Sequence, residues 1–180
     1  NEKSVVTSDV DANISSDAVS TFPSNLEVVI SNKMSQYVAQ MYIGSNKQAI
    51  EVDIDTGSSD LWVPASGTTS GYGTFDKSTS TTYKKIADGF SIKYSDSNYA
   101  KGEWGEDTVY LGSTDGFELR SFQFAVATNQ TAGKPILGLG LKGNEITTYI
   151  TTNSAGPKVK VTGKKYDNFP FALKDQGIID

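Results

Sequence analysis

Cysteine and histidine are both absent from this chain of 180 residues. Without them the chain cannot build a Ser-His-Asp triad, a Cys-His pair or a zinc site of Cys and His ligands. It cannot form a disulfide either, which leaves the redox compartment open. The acid–base groups that remain are carboxylates, lysine and tyrosine.

Long apolar runs and an excess of basic charge are also missing. No stretch is long enough to span a bilayer, and the formal net charge is −5. An acidic surface argues against a nucleic-acid partner, and it suits a protein that works in acid, where carboxylates lose their charge. Hydrophobic residues make up 37% of the chain, which is enough for the core of one domain.

The first part of the chain differs in composition from the rest. Residues 1–25 are rich in Ser and Asp and predict an extended or partly disordered arm. The chain starts at Asn1, without an initiator Met or an apolar signal segment, so we expect a processed product. Two sequons make Asn13 and Asn129 candidate glycosylation sites and give weak support for secretion.

From residue 26 onward the pattern is β. Short segments rich in β-branched residues are separated by turn-forming residues, which is typical of a closed or sandwich-like β domain. We predict a turn over 95–98 and one helix over 169–176, entered through Asn168 and Pro170. The predicted strands cover residues 26–30, 37–44, 49–54, 90–94, 104 with 107–111, and 122–127.

Residues 147–165 form a polar stretch that contains four lysines. The simplest interpretation is a solvated loop. An alternative is a processing site at Lys164-Lys165, because exposed basic loops are easily cleaved.

The most informative segment is 52–64, which reads Val-Asp-Ile-Asp-Thr-Gly-Ser-Ser-Asp-Leu-Trp-Val-Pro. Its apolar strand leads into Asp55-Thr56-Gly57-Ser58. In this extended form the motif resembles the pepsin-like aspartic proteases, above all the secreted fungal candidapepsins and yapsins. The resemblance covers about residues 26–180 and implies an all-β acid-protease lobe, a closed β-barrel-like domain with a flap hairpin and one short helix. Mature chains of the family start closer to the first strand, so residues 1–25 would be a remnant of a pro-segment.

The resemblance assigns Asp55 as one half of a catalytic pair. Peptide hydrolysis by carboxylates needs a water held between two of them, one ionised and one protonated, and two carboxyls that share a site titrate at separate pH values. Gly57 lacks a Cβ and lets backbone approach the carboxylate. In the family pattern Ser58 bonds the Asp55 oxygen, and Thr56 bonds across to the matching loop of a partner domain.

Three more parts of the family pattern are present. Tyr94 resembles the flap tyrosine that closes over substrate, and Trp62 resembles the residue whose indole N–H bonds that tyrosine's hydroxyl. Ile136-Leu137-Gly138 resembles the segment that lies behind the catalytic loop. Residues 169–177 resemble the helix and turn that end the N-terminal half.

The flap departs from the family pattern at its tip. Relatives usually carry Gly on both sides of the residue that is Asp96 here, whereas this chain has Ser95 and Ser97. Serine adopts a positive φ less readily, so we expect restricted flap motion and altered kinetics.

A second departure is Asp53, where relatives mostly place an aliphatic residue. Residues two apart on a strand face the same side, so Asp53 should face the side of Asp55. One interpretation is a structural bond to a nearby backbone amide or tyrosine. The other is a charge in the S1 pocket that selects Lys or Arg at P1.

The chain contains no second Asp-Thr-Gly or Asp-Ser-Gly. The family implies a C-terminal lobe that carries the second Asp, either on an associated chain or beyond a fragment boundary at Asp180. The alternatives are a symmetric homodimer and a protease-derived binding module without turnover. The interpretation we favour is a secreted or cell-surface fungal aspartic endopeptidase that cleaves proteins or peptides. We expect it to need no metal or cofactor, to be most active in acid and to be inhibited by pepstatin-type compounds.

Overall fold

The computed structural model describes residues 28–33, 36–152, 158–163 and 165–179. Within these ranges the chain forms ten strands and the helix α1 (Phe169–Asp175). No helix in the same ranges is long and apolar enough to cross a membrane. The strands are β1 (Ile30–Lys33), β2 (Gln36–Ile43), β3 (Gln48–Asp55), β4 (Leu61–Pro64), β5 (Lys84–Lys93), β6 (Tyr99–Leu111), β7 (Glu118–Gln130), β8 (Ile136–Gly138), β9 (Thr148–Thr152) and β10 (Lys158–Thr162).

The ten strands belong to one sheet that closes on itself. Its order is β1-β2-β3-β8-β4-β7-β6-β5-β9-β10, and an additional pairing joins β2 to β6. That pairing completes a ring of six strands, β2, β3, β8, β4, β7 and β6, and removes the free edges of the ring. The prediction of an all-β, closed barrel-like domain is therefore confirmed.

The core fills the inside of this ring. Along β3 the apolar residues Ile50 and Val52 are buried while their neighbours are partly exposed, the alternation expected of a strand with one buried face. The helix covers one side of the core, where Phe169 meets the Phe122 ring edge-on with 5.5 Å between ring centroids. Asn168 is the N-cap and a proline stands in the first turn, so the helix begins as predicted.

A second apolar cluster lies beneath the hairpin formed by β5 and β6. Trp62, Phe90 and Trp104 are fully buried there, and Tyr149 of β9 packs against them. The Phe90 and Trp104 rings meet edge-on at 4.9 Å between centroids, a favourable arrangement of aromatic quadrupoles. This cluster supports the hairpin from below.

Two predictions of local structure were wrong. Among the described residues the first strand is Ile30–Lys33, and Val28 and Val29, which were predicted to belong to it, are not part of a strand. Residues 26 and 27 of that predicted strand lie outside the described residues. The stretch 147–165 is not simply a solvated loop, because β9 and β10 pair over five residues each and β9 also bridges β5 at Asp88 and Ile150. The alternation of Lys and Val over 158–161 was a signal for the second of these strands. The predicted arm, Asn13 and Lys164 lie outside the described residues.

Candidate active site

Asp55 ends β3 and points its carboxyl group away from the core. Val52 is buried and Ile54 packs against the same core cluster, so the alternation of the strand turns Asp55 to the other face. The Gly57 amide donates to Asp55 Oδ1 at 2.8 Å and the Ser58 hydroxyl donates to Oδ2 at 2.5 Å. A Cβ on Gly57 would lie 3.1 Å from Oδ1, so glycine allows this close approach. The two donors lie only two and three residues after Asp55 in the sequence.

The segment behind this turn fixes its backbone. β8 lies between β3 and β4, parallel to β3 and antiparallel to β4, and its pairing with β3 sets Gly138 opposite Asp55. The amides of Leu139 and Gly140 donate to the carbonyls of Asp55 and Ser58, both at 2.7 Å. A Cβ on Gly138 would lie 2.7 Å from the Ser58 carbonyl carbon, so the two segments are in backbone contact. Ile136, Leu137 and Gly138 therefore form a strand directly beside the residues that lead into the Asp55 turn.

The flap residue Tyr94 lies over the same site. It follows the last residue of β5, and its hydroxyl accepts a hydrogen bond of 2.7 Å from the indole N–H of Trp62. Trp62 is fully buried, so the bond joins the core to the flap. Burial also raises the pKa of Tyr94 far above its usual value, which keeps the hydroxyl neutral.

Between the turn and the flap lies a cleft of about 600 Å³. It is lined by Asp55, Gly57 and Ser58 of the turn, by residues 91–95 at the end of β5 and just beyond it, and by Asn144 and Ile146. Asp60 also lines it. Asp60, Asn144 and Ile146 were not predicted to line this cleft, because nothing local in the sequence indicated that the stretch after Gly140 returns to the turn that holds Asp55.

Residues 36–180 match a family model described as eukaryotic aspartyl protease. The chain belongs to this family. It is 44% identical over 153 residues to an acid protease of Saccharomycopsis fibuligera, covering 85% of this chain and 36% of that protein. It is 39% identical to candidapepsin-2 of Candida parapsilosis (79% and 32% covered) and 36% identical to the aspartic proteinase yapsin-3 of Saccharomyces cerevisiae (84% and 30% covered). The chain thus spans about a third of the length of these curated relatives.

In this aspartyl protease lobe the flap tip is a tight turn. The Ser97 amide donates to the Tyr94 carbonyl at 3.1 Å, and the Tyr94 amide donates to the Asn98 carbonyl at 2.8 Å. Ser97 has φ +72°, while Ser95 is not among the residues with positive φ. The Asp96 carboxylate accepts from the backbone and side-chain N–H groups of Asn98, at 2.9 and 2.7 Å. These bonds offset the cost of the left-handed serine.

Asp53 lies on β3, two residues before Asp55, but it does not line the cleft under Tyr94. Its amide donates to the Pro135 carbonyl at 2.9 Å. Burial and the charge of Asp55 raise its pKa, while the charge of Lys134 acts in the opposite direction. Its carboxylate is therefore near both a like charge and a cation, and a role in P1 selection stays a prediction.

The remaining predicted residues are exposed. Thr56 faces solvent, so its proposed bond to a partner loop stays a prediction. Asn129 lies at the end of β7, where its side-chain oxygen accepts from the Tyr99 hydroxyl at 3.2 Å. An exposed sequon asparagine is compatible with a glycan.

Proposed function

We propose that this chain is the N-terminal lobe of a two-lobed aspartic endopeptidase, in which Asp55 and an aspartate of a C-terminal lobe activate the same water. One observation carries the proposal. The Asp55 carboxylate opens into a cleft under Tyr94 while both of its oxygens are held by donors of its own turn. A binding module would have no need for this arrangement, and family membership supports the same chemistry.

The mechanism follows from one proton shared by two carboxyls. The ionised carboxyl takes a proton from the water, whose oxygen attacks the peptide carbonyl carbon, while the protonated carboxyl donates to the carbonyl oxygen. The tetrahedral diol then collapses, the C–N bond breaks and the amine leaves with a proton from the dyad. Gly57 and Ser58 contribute by fixing the plane of Asp55, which pre-organises the attack. No metal or organic cofactor takes part.

Activity peaks in acid, because the reaction needs one proton on the pair and two adjacent carboxylates resist double ionisation. Pepstatin-type statines compete with substrate, since their hydroxyl takes the position of the attacking water. Several relatives are named secreted aspartic proteases, which supports a secreted or cell-surface enzyme with protein or peptide substrates.

The test is Asp55→Asn in the full-length protein, with Asp115→Asn as the matched control. Asp115 is an exposed aspartate in the turn between β6 and β7. Asp55→Asn is expected to lower kcat by at least about 10³-fold at acidic pH with an unchanged unfolding midpoint, and the control is expected to retain activity. Activity retained by Asp55→Asn would exclude this mechanism.

The finer part of the proposal concerns substrate choice. Asp53 places a carboxyl group two residues before Asp55, where relatives mostly carry aliphatic residues, so we propose a preference for Lys or Arg at P1. Asp53→Ile should lower the ratio of kcat/KM for P1-Lys over P1-Leu peptides by about 10-fold, roughly one charge-assisted bond. An unchanged ratio would reject the preference and leave the catalytic proposal intact.

A further inference from the structure

Asp60 is a buried carboxylate next to the catalytic turn to which the proposed mechanism assigns no role. It follows Ser59 and directly precedes β4, its relative exposure is 2%, and it lines the cleft. Its backbone carbonyl accepts from the Gly138 amide at 3.1 Å, which fixes it to the segment behind Asp55. Burying a carboxyl group is costly unless its oxygens are bonded, so the partners of Asp60 define its role.

Those partners flank the hairpin of β9 and β10. The Ile146 amide, two residues before β9, donates to Asp60 Oδ1 at 3.0 Å and contacts Oδ2 at 3.3 Å. The Tyr166 hydroxyl, four residues after β10, donates to the same Oδ1. One carboxyl group thus binds the chain where it enters the hairpin and where it leaves.

The hairpin in turn touches the flap strand. Gly89 of β5 lies against Ile150 of β9, where a Cβ at position 89 would come within 2.5 Å of Ile150 Cγ1 and 2.8 Å of its backbone nitrogen. The Trp104 indole N–H donates to the Thr148 carbonyl at 3.3 Å. The Tyr166 ring packs edge-on against Trp104, with 5.7 Å between centroids. The hairpin is therefore connected to the catalytic turn at its base and to the flap strand along its side.

We propose that Asp60 is a positioning residue that clamps both ends of the hairpin β9–β10 to the catalytic turn and thereby fixes the cleft wall formed by Ile146. The clamp itself is independent of turnover. Its kinetic consequence rests on the proposed protease function, because it concerns how a peptide is held beside Asp55. Loosening the wall should weaken substrate binding more than it slows the chemical step.

The protonation state of the Asp60 carboxyl group depends on its surroundings. Burial raises the pKa of Asp60, the bonds from Tyr166 and Ile146 lower it in part, and the charge of Glu145 raises it further. The charge of Asp60 also contributes to raising the pKa of Tyr94 in the flap, after burial as the main cause. Among the described residues neither Asp60 nor Glu145 forms an ion pair, since Lys142 pairs with Asp167 and Lys165 donates to the Gly143 carbonyl.

Because the pKa of Asp60 is raised in the folded state, the direction in which its contribution to stability changes with pH is fixed. The contribution of Asp60 is fully present below the pKa of the unfolded chain and is lost as the pH rises through the folded-state value. Ionisation of Asp60 therefore destabilises the lobe on the neutral side. Both short bonds go to Oδ1, so an asparagine with its amide oxygen in that position keeps them and carries no charge.

The test compares Asp60→Ala and Asp60→Asn in the full-length protein, with Asp107→Ala as the control. Asp107 is equally buried and accepts from Ser80, Thr82 and the Thr108 amide, but it does not line the cleft. Asp60→Ala should speed hydrogen exchange of the Ile146 amide about 10-fold or more and raise KM about 5- to 10-fold with kcat changed less than about twofold. Asp60→Asn should restore both and move the neutral-side unfolding midpoint to higher pH.

Three outcomes would overturn the proposal: unchanged exchange of Ile146 in Asp60→Ala, an Asn variant that behaves like Ala, or the same KM change in Asp107→Ala. If Asp60→Ala fails to fold, Tyr166→Phe removes only one end of the clamp. It should speed Ile146 exchange by a smaller factor, and no change there would also reject the clamp. Exchange is measured without turnover, so an inactive protein would contradict the proposed function while leaving the clamp testable.

Discussion

Tyr94→Phe isolates the hydrogen bond between the core and the flap. The variant removes one oxygen and leaves the indole N–H of Trp62 without its 2.7 Å acceptor. Trp62 is fully buried, so water cannot replace the lost partner while the flap keeps its position. An unsatisfied buried donor costs about 1–3 kcal/mol. The perturbation is small in volume and specific in chemistry.

The protein can respond to the unsatisfied indole N–H of Trp62 in two ways, and each response is reported by a different measurement. If the flap moves to let water reach the indole, kcat/KM falls by about 5- to 150-fold, the factor that corresponds to 1–3 kcal/mol. If the flap stays, the free energy of unfolding falls by about the same 1–3 kcal/mol. Peptide kinetics and urea unfolding of the full-length protein measure both, and the two losses together should stay within that range.

The matched control is Tyr99→Phe, whose hydroxyl bonds the exposed Asn129 at 3.2 Å and should cost less than about 0.5 kcal/mol. Trp62→Phe removes the other partner of the same bond, so the double variant should lose less than the sum of the single losses. Unchanged kinetics and stability in Tyr94→Phe, or strictly additive losses with Trp62→Phe, would show that the Trp62–Tyr94 hydrogen bond does not stabilise the flap.

Three further predictions concern the flap, the sheet and acid stability. Ser97→Gly should raise the free energy of unfolding by about 1 kcal/mol, because glycine relieves the φ of +72°; a lower value would contradict strain at the tip. Gly102→Ala should cost at least about 3 kcal/mol, because its Cβ would lie 1.9 Å from the Val126 carbonyl oxygen, whereas Gly71→Ala, which meets open space, should be close to neutral in the same unfolding assay. Burial raises the pKa of Glu103, but the hydrogen bonds from Lys77, Tyr83 and Lys85 outweigh burial, so the pKa is lowered. The network therefore stabilises the folded protein at pH values above the unfolded-state pKa of Glu103, and this contribution is lost as the pH falls through the folded-state value. Lys77→Met should therefore flatten that acid-side loss in unfolding measurements across pH, and an unchanged slope would contradict the network's role.

Much of the fold was predictable because its signals are local. The β-branched residues of 49–54 predict a strand, and the turn formers at 95–98 predict the turn of a hairpin. The lengths were less predictable, since β6 and β7 continue through register shifts at Lys101/Gly102 and Asp107/Val109 that alternation cannot follow. Residues 147–165 were predicted to be a loop because the lysines and threonines of β9 and β10 give these strands the polar composition of a solvated segment.

The site was predictable to the extent that the motif carries it. Asp55, Gly57 and Ser58 interact within four residues, and the resemblance of this motif to the pepsin-like family implied the bond from Ser58. Asp60 lies in the same motif, but its bonds to Ile146 and Tyr166 span 86 and 106 residues. Contacts of that range depend on the closed sheet, and no spacing in the sequence encodes them.

The most direct test of the central claim is native mass spectrometry of the full-length protein bound to a pepstatin-type inhibitor. We expect one inhibitor for each copy of this lobe, together with one second lobe that carries the other aspartate, and loss of binding in Asp55→Asn. One inhibitor for two copies of this chain would mean a homodimeric protease. No inhibitor bound by an intact, folded protein would contradict the account.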